Sequence, residues 1–79
     1  MKAKEMFEKL NGNYFENKYR ITVEFYNANT DDYDYVEFFK DSKEFSISID
    51  QFNFKKYKLD FKLLFEAINQ QVEELGWNK

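Results

Sequence analysis

Seventy-nine residues predict one small domain, and with no Cys and no His the chain has neither a disulfide framework nor a His-Cys zinc cluster to hold it together. Ten Phe, six Tyr and one Trp must carry the core, each ring burying about 150–250 Å², in a chain that buries only roughly 60–65% of the surface its unfolded form exposes. The net charge of −3 is unevenly placed, with eight acids and two bases between positions 24 and 50, then four lysines and one acid between 51 and 62, so the middle of the chain repels nucleic-acid phosphates.

Ala3, Met6, Phe7 and Leu10 recur at i, i+3, i+4 and i+7 and predict a short amphipathic helix over 3–10. Asn11-Gly12 ends it, with Gly12 suited to the left-handed C′ position. Residues 19–26 alternate, with Tyr19, Ile21, Val23 and Phe25 on one side and Arg20, Thr22, Glu24 and Tyr26 on the other, the pattern of a half-buried strand. A polar turn over 27–32 leads to a second strand, 33–40. That strand puts Val36 and Phe38 on one face and Tyr35, Glu37 and Phe39 on the other. Asp41-Ser42-Lys43 turns the chain into a third strand, 44–50, with Phe45, Ile47 and Ile49 inward and Glu44, Ser46, Ser48 and Asp50 outward. Such tight connections predict an antiparallel meander.

Phe52, Phe54, Tyr57 and Leu59 are apolar anchors without a clear period, and 51–59 is read as a loop with room for a short strand. Asp60 is the N-cap of a final helix, with Leu59 and Leu64 as its hydrophobic staple. Phe61, Leu64, Phe65, Ile68, Val72 and Leu75 form the expected buried stripe. Gly76 at C′ and Trp77 at C″ fit a Schellman-type ending, with the indole over Val72. The order helix, three strands, helix predicts a two-layer α+β domain (αβββα) whose two helices cover one face of the sheet. The other face is left open.

General acid–base work most often uses His, and Ser-His-Asp and Cys-His triads are impossible here. Gly12 and Gly76 are the two glycines, too few for a phosphate-cradling loop. A glycosidase-type carboxylate pair needs a cleft for which one small sheet has little room. We expect no enzyme and no cofactor. Asn27, Asn29 and Asp31 have the 1-3-5 spacing of a calcium loop, but Asp32 stands where the loop needs Gly, and Phe38 stands at position 12 with the acid one residue early at Glu37. A polar hairpin turn is the better reading. Met1 is followed by a mixed-charge helix rather than an apolar signal region, and no apolar run nears the roughly 20 residues of a membrane span. The expectation is a cytoplasmic protein without a membrane partner.

The open face is the candidate contact surface. Glu24, Tyr26, Asp31, Asp32, Asp34, Tyr35, Glu37 and Phe39 are the candidate partner-binding residues. Carboxylates would pair with Arg or Lys of a basic protein, and the rings would supply buried area. Acids two apart on a strand, such as Asp32 and Asp34, lie about 6.6 Å apart, comparable with successive phosphates, so a DNA-mimic variant follows. Two rivals stand beside this reading. A homodimeric assembly domain would bury the surplus rings, since exposed strand edges invite pairing. A nucleic-acid binder would work through Lys55, Lys56, Lys58 and Arg20, although the aromatic face is ringed by acids rather than the cations it would need.

The two ends of the chain carry a resemblance. Ala3-Lys4-Glu5-Met6-Phe7-Glu8-Lys9-Leu10 resembles the "AKEMFEKLG" start of small proteins encoded by low-GC Gram-positive bacteria and their phages. Ala67-Ile68-Asn69-Gln70-Gln71-Val72-Glu73-Glu74-Leu75-Gly76-Trp77 is similar to their "AINKQVEELGW" end. Asn11 inserted before Gly12, and the Asp31, Asp32 and Asp34 cluster, depart from that pattern. The resemblance implies a phage or prophage setting rather than an activity. Such a setting favours an accessory or inhibitor protein that binds a host protein, the anti-CRISPR class included.

Overall fold

The computed structural model describes residues 1–28, 30–50 and 60–77. Two helices and four strands follow in the order α1 (Ala3–Lys9), β1 (Asn13–Glu16), β2 (Arg20–Asn27), β3 (Asp32–Phe39), β4 (Glu44–Ser48) and α2 (Phe61–Glu74). The strands form one antiparallel sheet in the order β1-β2-β3-β4. This is the expected α+β class with four strands in place of three. The added strand is β1, only four residues long. Its adjacent rings blur the alternation: Tyr14 pairs with Val23 on the core side and Phe15 with Thr22 on the outer side, yet both are large aromatics.

The core is built from one parity of the sheet. Ile21, Val23 and Phe25 of β2 and Val36 and Phe38 of β3 are buried against Ala3, Phe7 and Leu10 of the first helical segment and Leu64, Ala67 and Ile68 of α2. Phe38 is the aromatic centre, with ring centroids of Phe7 at 6.2 Å, Phe45 at 6.0 Å and Trp77 at 6.2 Å. Tyr19, expected inward at the start of β2, lies before the strand and is exposed. Phe45 and Ile47 of β4 do share the parity of Phe38 and Val36, but at the sheet's margin they stay 48% and 41% exposed.

Helix ends follow local chemistry. At the end of α1 the Gly12 N–H donates to the Phe7 carbonyl and the Asn11 N–H to the Glu8 carbonyl, both at 3.0 Å. That is the Schellman pair, with Asn11 at C′. Asn11, not Gly12, takes the left-handed conformation, at φ 64°; Asn tolerates it because its short amide bonds locally. Gly12 is needed for space instead. A Cβ there would sit 2.7 Å from Val23 Cγ1, 2.9 Å from Phe25 Cε1 and 2.9 Å from the Phe7 carbonyl oxygen.

At its start α1 has no side-chain cap of its own. The Glu74 carboxylate of α2 supplies one across the helix pair, accepting from the Ala3 N–H at 2.7 Å. Negative charge at a helix N-terminus also suits the helix dipole.

Helix α2 starts as expected, with the Asp60 carboxylate accepting from the Leu63 N–H at 3.1 Å. Asp60→Ala should cost about 1 kcal/mol, read from the urea midpoint; an unchanged midpoint would show the cap to be idle. Its end also follows expectation. Gly76 is left-handed at φ 74°, the Gly76 N–H reaches the Glu73 carbonyl and the Trp77 N–H reaches the Val72 carbonyl. The indole continues onward to Phe38.

The buried stripe of α2 is shifted from the expected one. Leu64, Ala67, Ile68 and Gln71 are buried, spaced i, i+3, i+4, i+7. Phe61 and Phe65 stack on each other at 5.8 Å and remain 50% and 49% exposed. Gln71 holds the core position because its Oε1 accepts from the Tyr14 hydroxyl at 2.7 Å, so a buried amide is satisfied. The reading of 51–59 and the Leu59 half of the staple lie outside the described residues.

Tyr14 offers a pH test of this packing. Burial, followed by the Glu16 and Glu74 carboxylates, pushes its hydroxyl from an ordinary 10.0 up to about 12. A group whose folded pKa lies above its unfolded one stabilises fully below the unfolded value and loses that contribution as pH rises through the folded one. Stability should therefore fall between about pH 10 and 12 more steeply in the parent than in Tyr14→Phe, as followed by urea midpoints. Parallel pH curves would remove Tyr14 from the account.

Candidate functional site

The outer face of the sheet carries the residues of opposite parity to the core. Cross-strand partners place Phe15 beside Thr22, Thr22 beside Glu37, Glu24 beside Tyr35, Tyr26 beside Tyr33 and Arg20 beside Phe39. Among the described residues neither helix lies on this face. Phe15, Tyr26, Tyr33 and Tyr35 are all exposed there. The rows of one face are about 6.6–7 Å apart along each strand, so rings and carboxylates form a lattice rather than a line.

An open groove of about 570 Å³ runs over the centre of this face, with Phe15, Arg20, Glu24, Tyr33, Tyr35 and Glu37 among its lining. Four carboxylates, Glu16, Glu24, Asp32 and Glu37, line it, and Glu24 and Glu37 differ. Glu37 accepts from Arg20 Nη1 at 3.2 Å and from the Thr22 hydroxyl at 3.3 Å. Glu24 is half-buried and makes no hydrogen bond or ion pair among the described residues. At the hairpin end, the Tyr26 hydroxyl donates to Asp31 Oδ1 at 2.7 Å, and Tyr26 and Tyr33 meet edge to face at 5.7 Å. Asp31 is itself left-handed at φ 55°. Asp32 caps the Tyr33 N–H at 2.8 Å and reaches the groove margin.

The structure thus brings together Glu24, Tyr26, Tyr35, Glu37 and Phe39, with Asp31 at one end; Asp32 has the core-side parity, opposite buried Asn27, and reaches only the groove margin from the strand end. Asp34 does not join them. It shares the parity of Val36 and Phe38 and turns to the helix side, where it accepts from Asn27 Nδ2 at 3.2 Å and from the Asp50 N–H at 3.2 Å. Asn27 is fully buried, so Asp34 satisfies a core amide and links the ends of β2 and β3 to the residues after β4. The phosphate-like pair of Asp32 and Asp34 is not an outer-face feature. Glu37 already has an internal cation, Arg20, at 3.2 Å. Among the described residues Arg20 pairs with Glu37 and Lys40 with Glu16, and no cation pairs with Glu24.

Phe15 and Tyr33 are members of this face that sequence reasoning did not assign. Phe15 went with the missed strand β1. Tyr33 was legible from its parity with Tyr35 and Glu37. Within the calcium-loop spacing, Asn27 Nδ2 donates to Asp34; no group of three or more His, Cys, Asp or Glu placed to hold a metal occurs among the described residues. No helix among the described residues is long and apolar enough to cross a membrane. The four-lysine segment lies mostly outside the described residues, and Arg20, the one cation named for a nucleic-acid surface that is described, is engaged by Glu37. No family model, no curated protein and no solved structure matches the chain.

Proposed function

We propose that the protein is a binding module whose outer sheet face docks onto a basic surface of another protein. The observation that carries this reading is the juxtaposition of half-buried Glu24 with the exposed rings of Phe15, Tyr33 and Tyr35, on a face that has no cation for Glu24 and no covering helix among the described residues. Exposed aromatics beside carboxylates supply the two things an interface centre uses, apolar area and charge-assisted hydrogen bonds. In a phage or prophage setting the partner is a host protein, and the module acts as an inhibitor or accessory factor. A host enzyme with a basic nucleic-acid groove, as in anti-CRISPR targets, has the matching charge. The test is capture from host lysate with the parent and with the double variant Glu24→Lys, Asp32→Lys. Capture should fall at least about fivefold in the variant and weaken with salt; undiminished capture by a folded variant would remove the acidic face from the reading.

Self-association is the second reading. Phe45 and Ile47, half-exposed on strand β4, favour it, because exposed apolar strands invite pairing. Sedimentation at micromolar concentration separates the two, a monomer leaving the first reading in place.

A further inference from the structure

Resting on the outer-face reading above, we infer that the groove over Glu24 is a pocket for an arginine side chain of the partner. The face already shows how it takes a guanidinium. Arg20 lies across Glu37 at 3.2 Å, with the Thr22 hydroxyl on the same carboxylate oxygen. Glu24, one step along β2 from Thr22, is a half-buried residue whose carboxylate shares the same groove but has no cation among the described residues. None of the described residues supplies a cation for this position, and a partner's side chain would fill it.

The surroundings select the form of that charge. Tyr35 stands directly across from Glu24 on β3, and Phe15 and Tyr33 lie on diagonals from it on β1 and β3. A planar guanidinium can lie on a ring face and still direct its forked N–H groups at a carboxylate; an ammonium is a compact, strongly hydrated charge that does the first less well. Rings on both flanks also exclude water from the ion pair, which strengthens it relative to a fully exposed one. A groove of about 570 Å³ is larger than one side chain needs, so flanking backbone of the partner enters with the arginine.

The test is an NMR titration of the full chain with two synthetic peptides, identical except that one carries three arginines spaced by glycines and the other three lysines. The arginine peptide should shift the amides of Thr22, Glu24 and Tyr35, and bind at least about threefold more tightly than the lysine peptide. Glu24→Gln should weaken it about fivefold and erase the preference. Tyr35→Leu should reduce the preference while leaving salt-dependent binding, and Tyr35→Phe should retain it. Equal affinity for the two peptides, with shifts still on the outer face, overturns the arginine pocket and leaves the acidic docking face standing. Shifts confined to the helix side overturn both, and an absence of shifts at millimolar arginine peptide overturns the pocket.

Discussion

Phe38→Ala will cost about 3–5 kcal/mol, a large share of what a domain of this size has, since native stability runs at about 0.05–0.15 kcal/mol per residue. The reason is position rather than size alone. The Phe38 ring is fully buried and sits at the junction of α1 through Phe7, the β4 margin through Phe45 and the end of α2 through Trp77. Removing it opens a cavity bounded by three other rings that cannot all close inward, because Phe7 and Trp77 are tied to separate helix ends. The chain has no Cys, so no disulfide compensates for the lost packing. Urea unfolding by far-UV circular dichroism is the measurement. A loss below about 1 kcal/mol would mean that the core can collapse around the gap and that the three-way junction is not what holds the layers together.

Gly12→Ala is the second large effect, expected at about 2–3 kcal/mol. The added Cβ meets two core side chains, Val23 and Phe25, and the Phe7 carbonyl oxygen, all at 2.7–2.9 Å. The carbonyl is the decisive neighbour, because it accepts the Gly12 N–H that closes α1. A side chain can rotate away; that oxygen cannot move without loosening the helix end. Gly76→Ala provides the contrast. Gly76 is left-handed with nothing within 4 Å of a Cβ, so its replacement costs only backbone strain, about 1–2 kcal/mol. Equal or reversed losses at the two glycines in matched urea titrations would show that crowding at the α1–β1 corner is not limiting.

Legibility in the sequence tracked how many physical signals agreed at each element. Helix α2 was readable at both ends because a cap residue, a glycine and an aromatic stood at fixed offsets, and the backbone and cap hydrogen bonds follow that spacing. Its buried stripe was not readable from hydropathy, which ranks Phe65 over Gln71. The structure reverses them because Tyr14 arrives with a hydroxyl to satisfy Gln71. That partner is 57 residues away, so no local pattern contains it. Strands β2 and β3 were legible by strict alternation, and the same alternation, applied to Asp34, would have turned it away from the candidate face. Strand β1 was lost because four residues with two adjacent rings give no alternation to read. With it went Phe15, a wall of the groove. The Arg20–Glu37 pair was also out of reach, since it depends on the register of Arg20 against Phe39 and Thr22 against Glu37, which the hairpin fixes and composition does not.

The central claim is that the outer face, and not the helix side, is where a partner docks. A two-sided comparison of capture from host lysate tests it most directly. One variant carries Glu24→Lys and Tyr35→Ser on the outer face, the other Phe65→Ser on the exposed side of α2, each checked for native circular dichroism. The outer-face variant should lose the captured partner while Phe65→Ser keeps it at the parent level. Retention by the folded outer-face variant, with loss in Phe65→Ser, would contradict it.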